Sequence, residues 1–371
     1  MFSFHDTQYM QRALVLAQQA AGRTTPNPLV GCVIVRDGHI IGEGYHMKAG
    51  SPHAEINALN MAGDKARGAD LYVTLEPCNH YGRTPPCTEL IINAGIRRVI
   101  TAMIDPNQLV RGQGLERLRQ NGVDVTSGLM EDQARTLNQA YIKAIATGLP
   151  FITLKTAYSM DGKQYSSTIS DPWITSEQSR LRVHQLRNAS DVIMVGSRTL
   201  LRDDPQLTCR LPNLPDRNPV RLIVDGQFIT PITSRVCRDN KPADSEWPDK
   251  VIIATTQKAW DNATPTQKAS FTSQPHISVW TYDSERYVPL SRLMGDVASH
   301  GWNNVLLEGG ELLANAMLQQ HLIDKIEFHY APKLFGHSEL YKHRHPVILE
   351  NIEYSWDSGD LRILGYPKYD A

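Results

Sequence analysis

Residues 71–87 read LYVTLEPCNHYGRTPPC, and residues 53–55 upstream of them read His-Ala-Glu. One imidazole and two thiols can fill three positions around a zinc ion and leave the fourth for water, as catalytic zinc sites do. A glutamate two residues from the histidine is free to transfer protons. This residue set is that of a hydrolytic deaminase, which exchanges an exocyclic amine for oxygen. We therefore predict Glu55 as the catalytic residue and three zinc ligands: His53, Cys78 and Cys87.

The flanking sequence predicts how this site is built. A helix opens near His53 and runs to about Met61, and residues 71–75 form a buried strand. Cys78 and Cys87 bracket a loop that leads into the next helix, and the positive N-terminus of a helix favours thiolates. Because two thiolates cancel the charge of a divalent cation, such a zinc acidifies water less than an all-histidine site does. A separate base is then needed. The glutamate would take a proton from the attacking water and return it to the ring nitrogen or the leaving amine.

The loop between the two cysteines is longer than in the usual deaminase pattern, in which two residues separate them. Here eight residues lie between Cys78 and Cys87. We expect this loop to line the substrate pocket, with His80 and Arg83 as donors to a phosphate. The same spacing permits a closed structural zinc site with His80 as the fourth ligand, and in that alternative Glu55 has no chemical role.

Length and composition exclude several classes of protein. The 371 residues, 41% hydrophobic and 21% charged, are typical of a globular chain with two domains. A formal net charge of −1 argues against a dedicated nucleic-acid binder. The chain has neither a signal-peptide pattern nor an apolar stretch that spans a membrane, and its five cysteines are too few for a disulfide framework. We expect a cytoplasmic enzyme.

Strand and helix patterns alternate along both halves, which predicts two α/β domains. In the first half, Asp37-Gly38 between two apolar runs predicts a hairpin, and residues 131–147 predict one long helix. Gly148-Leu149-Pro150 ends that helix, so we place the domain boundary there, with domains over 1–148 and 149–371. In the second half, strands are predicted at 151–156, 191–195, 220–224, 251–254, 305–307 and 325–330.

The second half contains no G-x-G-x-x-G dinucleotide motif. It does contain two turns from a strand to a helix that carry glycine, at Gly196 and at Gly309-Gly310. Glycines let backbone N–H groups approach a phosphate at a helix N-terminus. Ordinary connections between strands and helices have the same appearance, so these turns alone do not predict a nucleotide.

The chain resembles, along its whole length, the bifunctional deaminase–reductase family of bacterial riboflavin biosynthesis. The resembling segments are PNPLVG (26–31), HAE (53–55), EPC through GRTPPC (76–87), KTA (155–157), SMDG (159–162), WIT (173–175), DDP (203–205) and EGG (308–310). The resemblance implies an N-terminal cytidine-deaminase-like three-layer α/β/α domain. It also implies a C-terminal α/β domain similar to dihydrofolate reductase, and a homo-oligomer.

Two consecutive reactions follow from this resemblance. The N-terminal domain, a zinc-dependent pyrimidine deaminase, would deaminate 2,5-diamino-6-(5-phosphoribosylamino)pyrimidin-4(3H)-one. The C-terminal domain, an NADPH-dependent reductase, would reduce the ribosyl group of 5-amino-6-(5-phosphoribosylamino)uracil to a ribityl chain. The partners are then phosphoribosylaminopyrimidines, with neither nucleic acid nor membrane.

Residue by residue, the resemblance assigns two sets of positions in addition to the zinc site. The cofactor positions are Ala157, Trp173, Thr199, Asp203 and Gly310. The substrate positions are Asn27, Asp171, Arg187, Leu207, Arg210 and Glu308. The two arginines suit a ribose phosphate because a guanidinium binds phosphate bidentately. Asn27, between two prolines, also suits a plain turn. At position 171 the family often has serine. Asp105 and Asn107 match a family loop in which Gln108 replaces the usual proline.

Two other functions are compatible with the zinc motif. One is a zinc-dependent nucleic-acid deaminase with an accessory C-terminal domain, against which the near-neutral charge counts. The other is a non-catalytic scaffold with structural zinc, in which substitution of Glu55 changes no activity.

Overall fold

A computed structural model describes residues 2–81, 85–164, 174–211, 217–241, 250–333 and 348–369. The chain divides into two compact units, Met1–Leu149 and Pro150–Ala371. Across the described ranges, none of the helices combines the length and the apolar character that a membrane crossing requires.

The first unit contains a five-stranded sheet with the order β2-β1-β3-β4-β5. Its strands are β1 (Gly31–Arg36), β2 (His39–Tyr45), β3 (Asp70–Leu75), β4 (Arg98–Met103) and β5 (Asp124–Ser127). Its helices are α1 (Phe4–Gln18), α2 (Ala54–Ala62), α3 (Cys87–Asn93), α4 (Gln113–Gln120), α5 (Glu131–Leu137) and α6 (Gln139–Thr147). Strand β1 is antiparallel to both neighbours, whereas β3, β4 and β5 are parallel.

Alternating side chains of this sheet pack into two separate apolar layers. Cys32 and Ile34 of β1 face a core that includes Ala54 and Ala58 of α2. Val33, between them, faces the opposite core with Met10 and Ala13 of α1. Helices therefore cover both faces of the sheet, and the predicted three-layer α/β/α fold is confirmed.

Glycines on β2 determine how closely α2 approaches the sheet. A Cβ atom on Gly42 would lie 2.3 Å from the carbonyl oxygen of Ala58, and one on Gly44 would lie 2.4 Å from that of Ala54. Only glycine permits this contact between helix and strand backbones. The N-terminal end of α2, where His53 is the N-cap residue, is thereby held against the sheet.

The prediction of one long helix over 131–147 is wrong, because the helix is interrupted at Asn138. This residue ends α5 and precedes α6, with φ −106° and ψ 18°. Its buried side chain accepts a hydrogen bond from the N–H of Leu29 at 2.8 Å and donates one to the carbonyl oxygen of Leu29 at 3.0 Å. The break therefore serves a contact with a distant segment.

The second unit contains a nine-stranded sheet with the order β10-β9-β8-β7-β11-β6-β12-β14-β13. Its strands are β6 (Phe151–Ser159), β7 (Val192–Gly196), β8 (Val220–Val224), β9 (Val251–Thr256), β10 (Ile277–Tyr282), β11 (Asn304–Glu308), β12 (Lys325–Ala331), β13 (Ile348–Asp357) and β14 (Asp360–Lys368). Its helices are α7 (Glu177–Ala189), α8 (Ser197–Asp203), α9 (Gln257–Asn262), α10 (Pro265–Thr272), α11 (Leu290–Ser299) and α12 (Glu311–Gln319).

Seven of these strands, from β10 to β12 in the sheet order, run parallel, and β14 and β13 add two antiparallel strands at one edge. Each strand predicted in this half is present, and β10, β13 and β14 were missed. Because β6, β7 and β11 are parallel neighbours, the residues at their carboxyl ends meet at one edge of the sheet, where α/β proteins bind ligands.

Candidate functional sites

Three potential metal ligands converge where α2 and α3 begin. Nδ1 of His53 lies 3.3 Å from Sγ of Cys87 and 3.6 Å from Sγ of Cys78. These three side chains place their ligand atoms within 4.8 Å of one another. A histidine and two cysteines gathered at this spacing fit zinc with one open position. His80 is exposed and does not belong to this group in the described part of the chain.

The pKa values of the two cysteine thiols shift in opposite directions. Hydrogen bonding from Cys87 and His53 lowers the pKa of Cys78 to about 4, although burial opposes the shift. The hydrogen bond to Cys78, together with burial, raises the pKa of Cys87. Hydrogen bonding to Cys78 also raises the pKa of His53. A thiolate is therefore formed readily in this group, as a metal ligand requires.

Glu55 lies in the first turn of α2, beside these ligands, with 4% of its surface exposed. Burial and the neighbouring Cys78 thiolate raise the pKa of Glu55 to about 7. A carboxyl group that titrates near neutrality can both accept and donate a proton, which is the requirement for general acid–base catalysis.

Glu76, two residues before Cys78, organises the neighbouring loop. Its Oε2 accepts hydrogen bonds from the backbone N–H groups of Asp105 and Gly112, at 3.2 and 2.9 Å. Its Oε1 accepts from the N–H of Gly114 at 2.9 Å. A Cβ on Gly114 would lie 2.1 Å from the carbonyl oxygen of Pro77. No role for this glutamate could be predicted from the sequence, because its partners are backbone groups.

Asn27 lies on the segment that Asn138 holds through Leu29. Nδ2 of Asn27 is 3.1 Å from Nε2 of the buried His46, whose ring meets that of His53 edge-on. The predicted substrate position is thus next to the candidate metal ligands. Burial lowers the pKa of His46.

The second family loop of this unit is held by local contacts. Oδ1 of Asp105 accepts hydrogen bonds from the N–H of Asn107 at 2.9 Å and from the hydroxyl of Tyr141 at 3.3 Å. Burial raises the pKa of Asp105. The structure therefore gives the Asp105 carboxylate a role in shaping the loop.

In the second unit, two predicted cofactor positions lie against each other. A Cβ on Gly310 would lie 2.6 Å from Oγ1 of Thr199, and Gly309 and Gly310 have φ of 67° and 76°. Thr199 belongs to α8, after β7, and Gly310 is the N-cap residue of α12, after β11. The two positions thus meet where α8 and α12 begin, and glycine at such a helix start lets backbone N–H groups approach a phosphate.

The other predicted cofactor positions are more scattered. Ala157 is half-buried near the carboxyl end of β6. Asp203 ends α8 and forms an ion pair with the adjacent Arg202, with Oδ1 2.7 Å from Nε. Trp173 lies outside the described residues, as does Asp171 among the substrate positions.

Arg187 and Glu308, both predicted to contact substrate, bind each other. Nε and Nη2 of Arg187 donate to the two carboxylate oxygens of Glu308 at 2.7 and 2.8 Å. Nη1 of the same guanidinium donates to the carbonyl oxygen of Thr208 at 3.0 Å. One bidentate edge of Arg187 is therefore already occupied by a carboxylate and does not bind phosphate in this arrangement.

Arg210 is exposed and has a more open environment. Its Nη1 donates to the hydroxyl of Thr208 at 2.7 Å, and its backbone N–H donates to Nδ1 of His184 at 3.2 Å. Burial, with Arg187 and Arg210 nearby, lowers the pKa of His184 to about 4, so this histidine is neutral. Leu207 is buried with φ 56°, a left-handed conformation that a leucine adopts only under constraint.

Comparisons with known proteins match both halves of the chain. A family model described as the cytidine and deoxycytidylate deaminase zinc-binding region matches residues 4–103, and the RibD C-terminal domain model matches residues 150–347. The riboflavin biosynthesis protein RibD of Escherichia coli is 42% identical over 346 residues, 89% of each chain. That of Bacillus amyloliquefaciens is 40% identical over 328 residues, 88% of this chain and 85% of its own.

The chain belongs to the RibD family. Among solved structures, RibD of Acinetobacter baumannii superposes with a TM-score of 0.82 at 34% identity, over 98% of this chain and 99% of that one. A Thermotoga maritima protein named as a diaminohydroxyphosphoribosylaminopyrimidine deaminase and 5-amino-6-(5-phosphoribosylamino)uracil reductase gives the same values. The predicted family, fold class and enzyme type are confirmed: RibD proteins of riboflavin biosynthesis combine a zinc-dependent deaminase with an NADPH-dependent reductase.

A further cation in this RibD family member, half-buried in the sheet of the second unit, had no predicted role. Lys155 of β6 is opposite Glu308 of β11 on one side and opposite Glu327 of β12 on the other. Burial lowers the pKa of Lys155, against the attraction of Glu308. The motif Lys155-Thr156-Ala157 signals this residue in the sequence, but its two carboxylate neighbours become visible only in the register of the sheet.

Proposed function

We propose that this protein catalyses two consecutive steps of riboflavin biosynthesis. Its first unit removes the 2-amino group of 2,5-diamino-6-(5-phosphoribosylamino)pyrimidin-4(3H)-one as ammonia. Its second unit reduces the ribosyl group of the resulting uracil to ribityl. The observation that carries this proposal is the convergence of His53, Cys78 and Cys87 beside the buried Glu55, in a chain whose second half matches the RibD C-terminal domain.

In the deaminase unit, His53, Cys78 and Cys87 are the residues that hold zinc. When bound, zinc supplies a Lewis acid that makes water a stronger nucleophile. Glu55 accepts a proton from the attacking water and delivers it to the ring nitrogen. It then carries the second proton of that water to the departing amine, which leaves as ammonia. Its raised pKa of about 7 supports both transfers.

In the reductase unit, Ala157, Thr199 and Gly310 hold the cofactor, and Asp203 and Trp173 are assigned to it by resemblance alone. NADPH supplies the hydride for reduction of the ribosyl group. Arg210 binds the substrate phosphate, because it is the more accessible of the two assigned arginines. Arg187 instead orients Glu308 toward the substrate, and Leu207 and Asp171 complete the assigned set.

The two compact units correspond in this proposal to a deaminase domain and a reductase domain, joined near residue 149. A net charge of −1 supports a small-molecule substrate rather than a nucleic acid. All five cysteines are free, which supports a reducing compartment such as the cytoplasm. The family resemblance supports a homo-oligomer.

The test follows ammonia release and NADPH absorbance together after the diaminopyrimidine substrate is added to the zinc-loaded protein. We expect ammonia first and NADPH oxidation second. Glu55→Gln should retain zinc and lose deamination by roughly a hundredfold or more, since a general acid–base group contributes about that much. The same variant should still reduce the deaminated substrate.

Each half of the proposal can fail separately. Ammonia without NADPH oxidation would leave the reductase half unsupported. A Glu55→Gln variant that deaminates normally would show that the zinc site is structural, and a variant without zinc would show that a ligand has been misassigned.

A further inference from the structure

Hydrogen bonds join the C-terminal half of α7 to the loop that follows α8. Nη1 of Arg187 donates to the carbonyl oxygen of Thr208 at 3.0 Å. Sγ of Cys209 donates to the carbonyl oxygen of His184 at 3.5 Å. The backbone N–H of Arg210 donates to Nδ1 of the same histidine at 3.2 Å. His184 therefore holds this loop through both its backbone and its side chain.

The loop adopts a backbone conformation that needs such support. Leu207, which is buried, has φ 56° in the left-handed region. The N–H of Cys209 donates to Oδ1 of Asn218 at 3.1 Å, and Nδ2 of Asn218 donates to the carbonyl oxygen of Asn240 at 2.9 Å. Because a strained backbone persists only where its surroundings determine it, the position of Arg210 depends on these contacts.

Nδ1 of His184 is a hydrogen-bond acceptor. A backbone N–H only donates, so this nitrogen carries no proton while it faces Arg210. Burial and the charges of Arg187 and Arg210 lower the pKa of His184 to about 4. Glu308 and the carbonyl group of Thr208 act in the opposite direction but do not outweigh this shift in the pKa. The imidazole is therefore neutral, and the two arginines keep its acceptor available.

The guanidinium of Arg210 has one edge available to a ligand. Its Nη1 donates to the hydroxyl of Thr208 at 2.7 Å and lies 3.5 Å from Oε1 of Gln206. In the described part of the chain, its Nε and Nη2 have no acceptor. Arg187 uses the same edge to bind both carboxylate oxygens of Glu308. Because this edge of a guanidinium binds carboxylate or phosphate bidentately, that of Arg210 suits a phosphate.

We propose that His184 is a positioning residue of the reductase site: through Nδ1 it fixes the backbone of Arg210, so that the available guanidinium edge meets the substrate phosphate. This inference rests on the proposed function, in which Arg210 binds that phosphate. His184 itself makes no contact with substrate or cofactor. The position requires a neutral acceptor, because a third cation beside Arg187 and Arg210 could not accept the N–H.

The first test compares three substitutions of His184 in the zinc-loaded full-length protein. His184→Phe keeps the ring volume but removes the acceptor. His184→Asn places an amide oxygen at the δ position, where Nδ1 lies, whereas His184→Gln places it one bond further out. We expect His184→Phe and His184→Gln to raise KM for the reductase substrate about 5- to 30-fold, since an unpaired backbone N–H costs about this factor. In His184→Asn, KM should stay within about twofold of the wild-type value.

The rise should be confined to KM for the reductase substrate. The substrate must order the loop itself when His184 no longer does so, whereas the phosphate takes no part in hydride transfer and kcat should not change. The Kd for NADPH and the rate of deamination should stay at the wild-type level, which controls for folding. Gln185→Ala, at the exposed neighbour on α7, is the matched control and should change none of these constants.

The second test is a double-mutant cycle with Arg210→Ala, which removes the guanidinium but keeps the backbone N–H. In that background, His184→Phe should raise KM by less than about twofold further, because the histidine acts only through the arginine side chain. Multiplying effects of the two substitutions would show that His184 acts independently of Arg210, which overturns the proposal.

The remaining outcomes distinguish this proposal from the proposed function. An unchanged KM in His184→Phe, or an equal rise in His184→Asn and His184→Phe, would overturn the positioning role and leave the reductase assignment intact. A wild-type KM in Arg210→Ala would overturn the phosphate contact and the positioning role together. A wild-type protein that does not reduce the deaminated substrate would overturn the reductase half of the proposed function and this inference with it. If His184→Phe does not fold, the difference between His184→Asn and His184→Gln decides the same question.

Discussion

Gly310 and Thr199 pack so closely that a single added methyl group would collide with the threonine hydroxyl, at 2.6 Å. Gly310 also has φ 76°, which costs an L-residue about 1 kcal/mol or more. We therefore predict that Gly310→Ala raises the Kd for NADPH at least about tenfold, with unchanged deaminase activity. A fluorescence titration with NADPH measures this directly. Gly295→Ala in α11 is the matched control, since nothing lies within 4 Å of its added Cβ.

Arg210→Ala tests which arginine meets the substrate phosphate. Because a charge-assisted hydrogen bond contributes about 1.5–3 kcal/mol, we expect the KM for the reductase substrate to rise about 10- to 100-fold. The Kd for NADPH should not change. Arg292→Ala, an arginine that lies over the ring of Tyr282 in the same unit, should affect neither constant. Equal weakening of substrate and NADPH would contradict the assignment of Arg210.

Glu76→Gln tests the carboxylate that holds the loop from Asp105 to Gly114. Replacing one carboxylate oxygen by an NH2 group turns a donor toward backbone N–H donors, which costs about 1–3 kcal/mol. We expect a lower unfolding midpoint for the first unit and reduced deaminase activity, measured by calorimetry and by ammonia release. Glu89→Gln on α3, whose carboxylate pairs with the partly exposed Arg117, should change stability by less than about 1 kcal/mol. Equal effects of the two substitutions would argue against the positioning role of Glu76.

Asp6 predicts a pH dependence for the stability of the first unit. Burial raises the pKa of this carboxyl, but hydrogen bonds from Tyr72, Ser3 and Arg98 outweigh it and lower the pKa to about 2. Since the folded pKa is below the unfolded value of about 3.9, the stabilisation is complete above about pH 5 and declines as the pH falls toward 2.

We therefore expect Asp6→Asn to lower the free energy of unfolding by about 2 kcal/mol at pH 7, and by clearly less at pH 3. Denaturant unfolding of both proteins at the two pH values measures the difference. Asp37→Asn, in the exposed hairpin turn, should have little effect at either pH. A difference between wild type and Asp6→Asn that does not vary with pH would show that ionisation of Asp6 contributes nothing.

Local signals explain which elements could be predicted from the sequence. The Asp37-Gly38 pair formed the predicted hairpin turn, with φ of 52° and 77°, because both residues tolerate the left-handed region. The strand over 220–224 was predicted to the residue, since it is a short apolar run bounded by polar loops. The break at Asn138 was missed because its cause, the backbone of Leu29, lies 109 residues away.

The site residues also divide into those that a local sequence pattern reveals and those whose partners are distant in the sequence. The zinc ligands and Glu55 could be proposed from residue chemistry and spacing, and the structure brings them together. The pairing of Arg187 with Glu308 could not, because the two residues lie 121 positions apart and either could bind a ligand by itself. The role of Glu76 could not be predicted, because its partners are backbone N–H groups, which form no sequence pattern.

The position of β6 in its sheet has a consequence for biosynthesis of the chain. Both neighbours of this strand, β11 and β12, come from residues 304–331. While the ribosome is still making that segment, β7 to β10 can pair among themselves, but β6 has no partner strand. Strand β6 can pair with both β11 and β12 only after Ala331 has left the ribosome. Because this pairing joins segments that are far apart in the sequence, it makes folding slow. The candidate zinc ligands, all within residues 53–87, are available to the metal long before then.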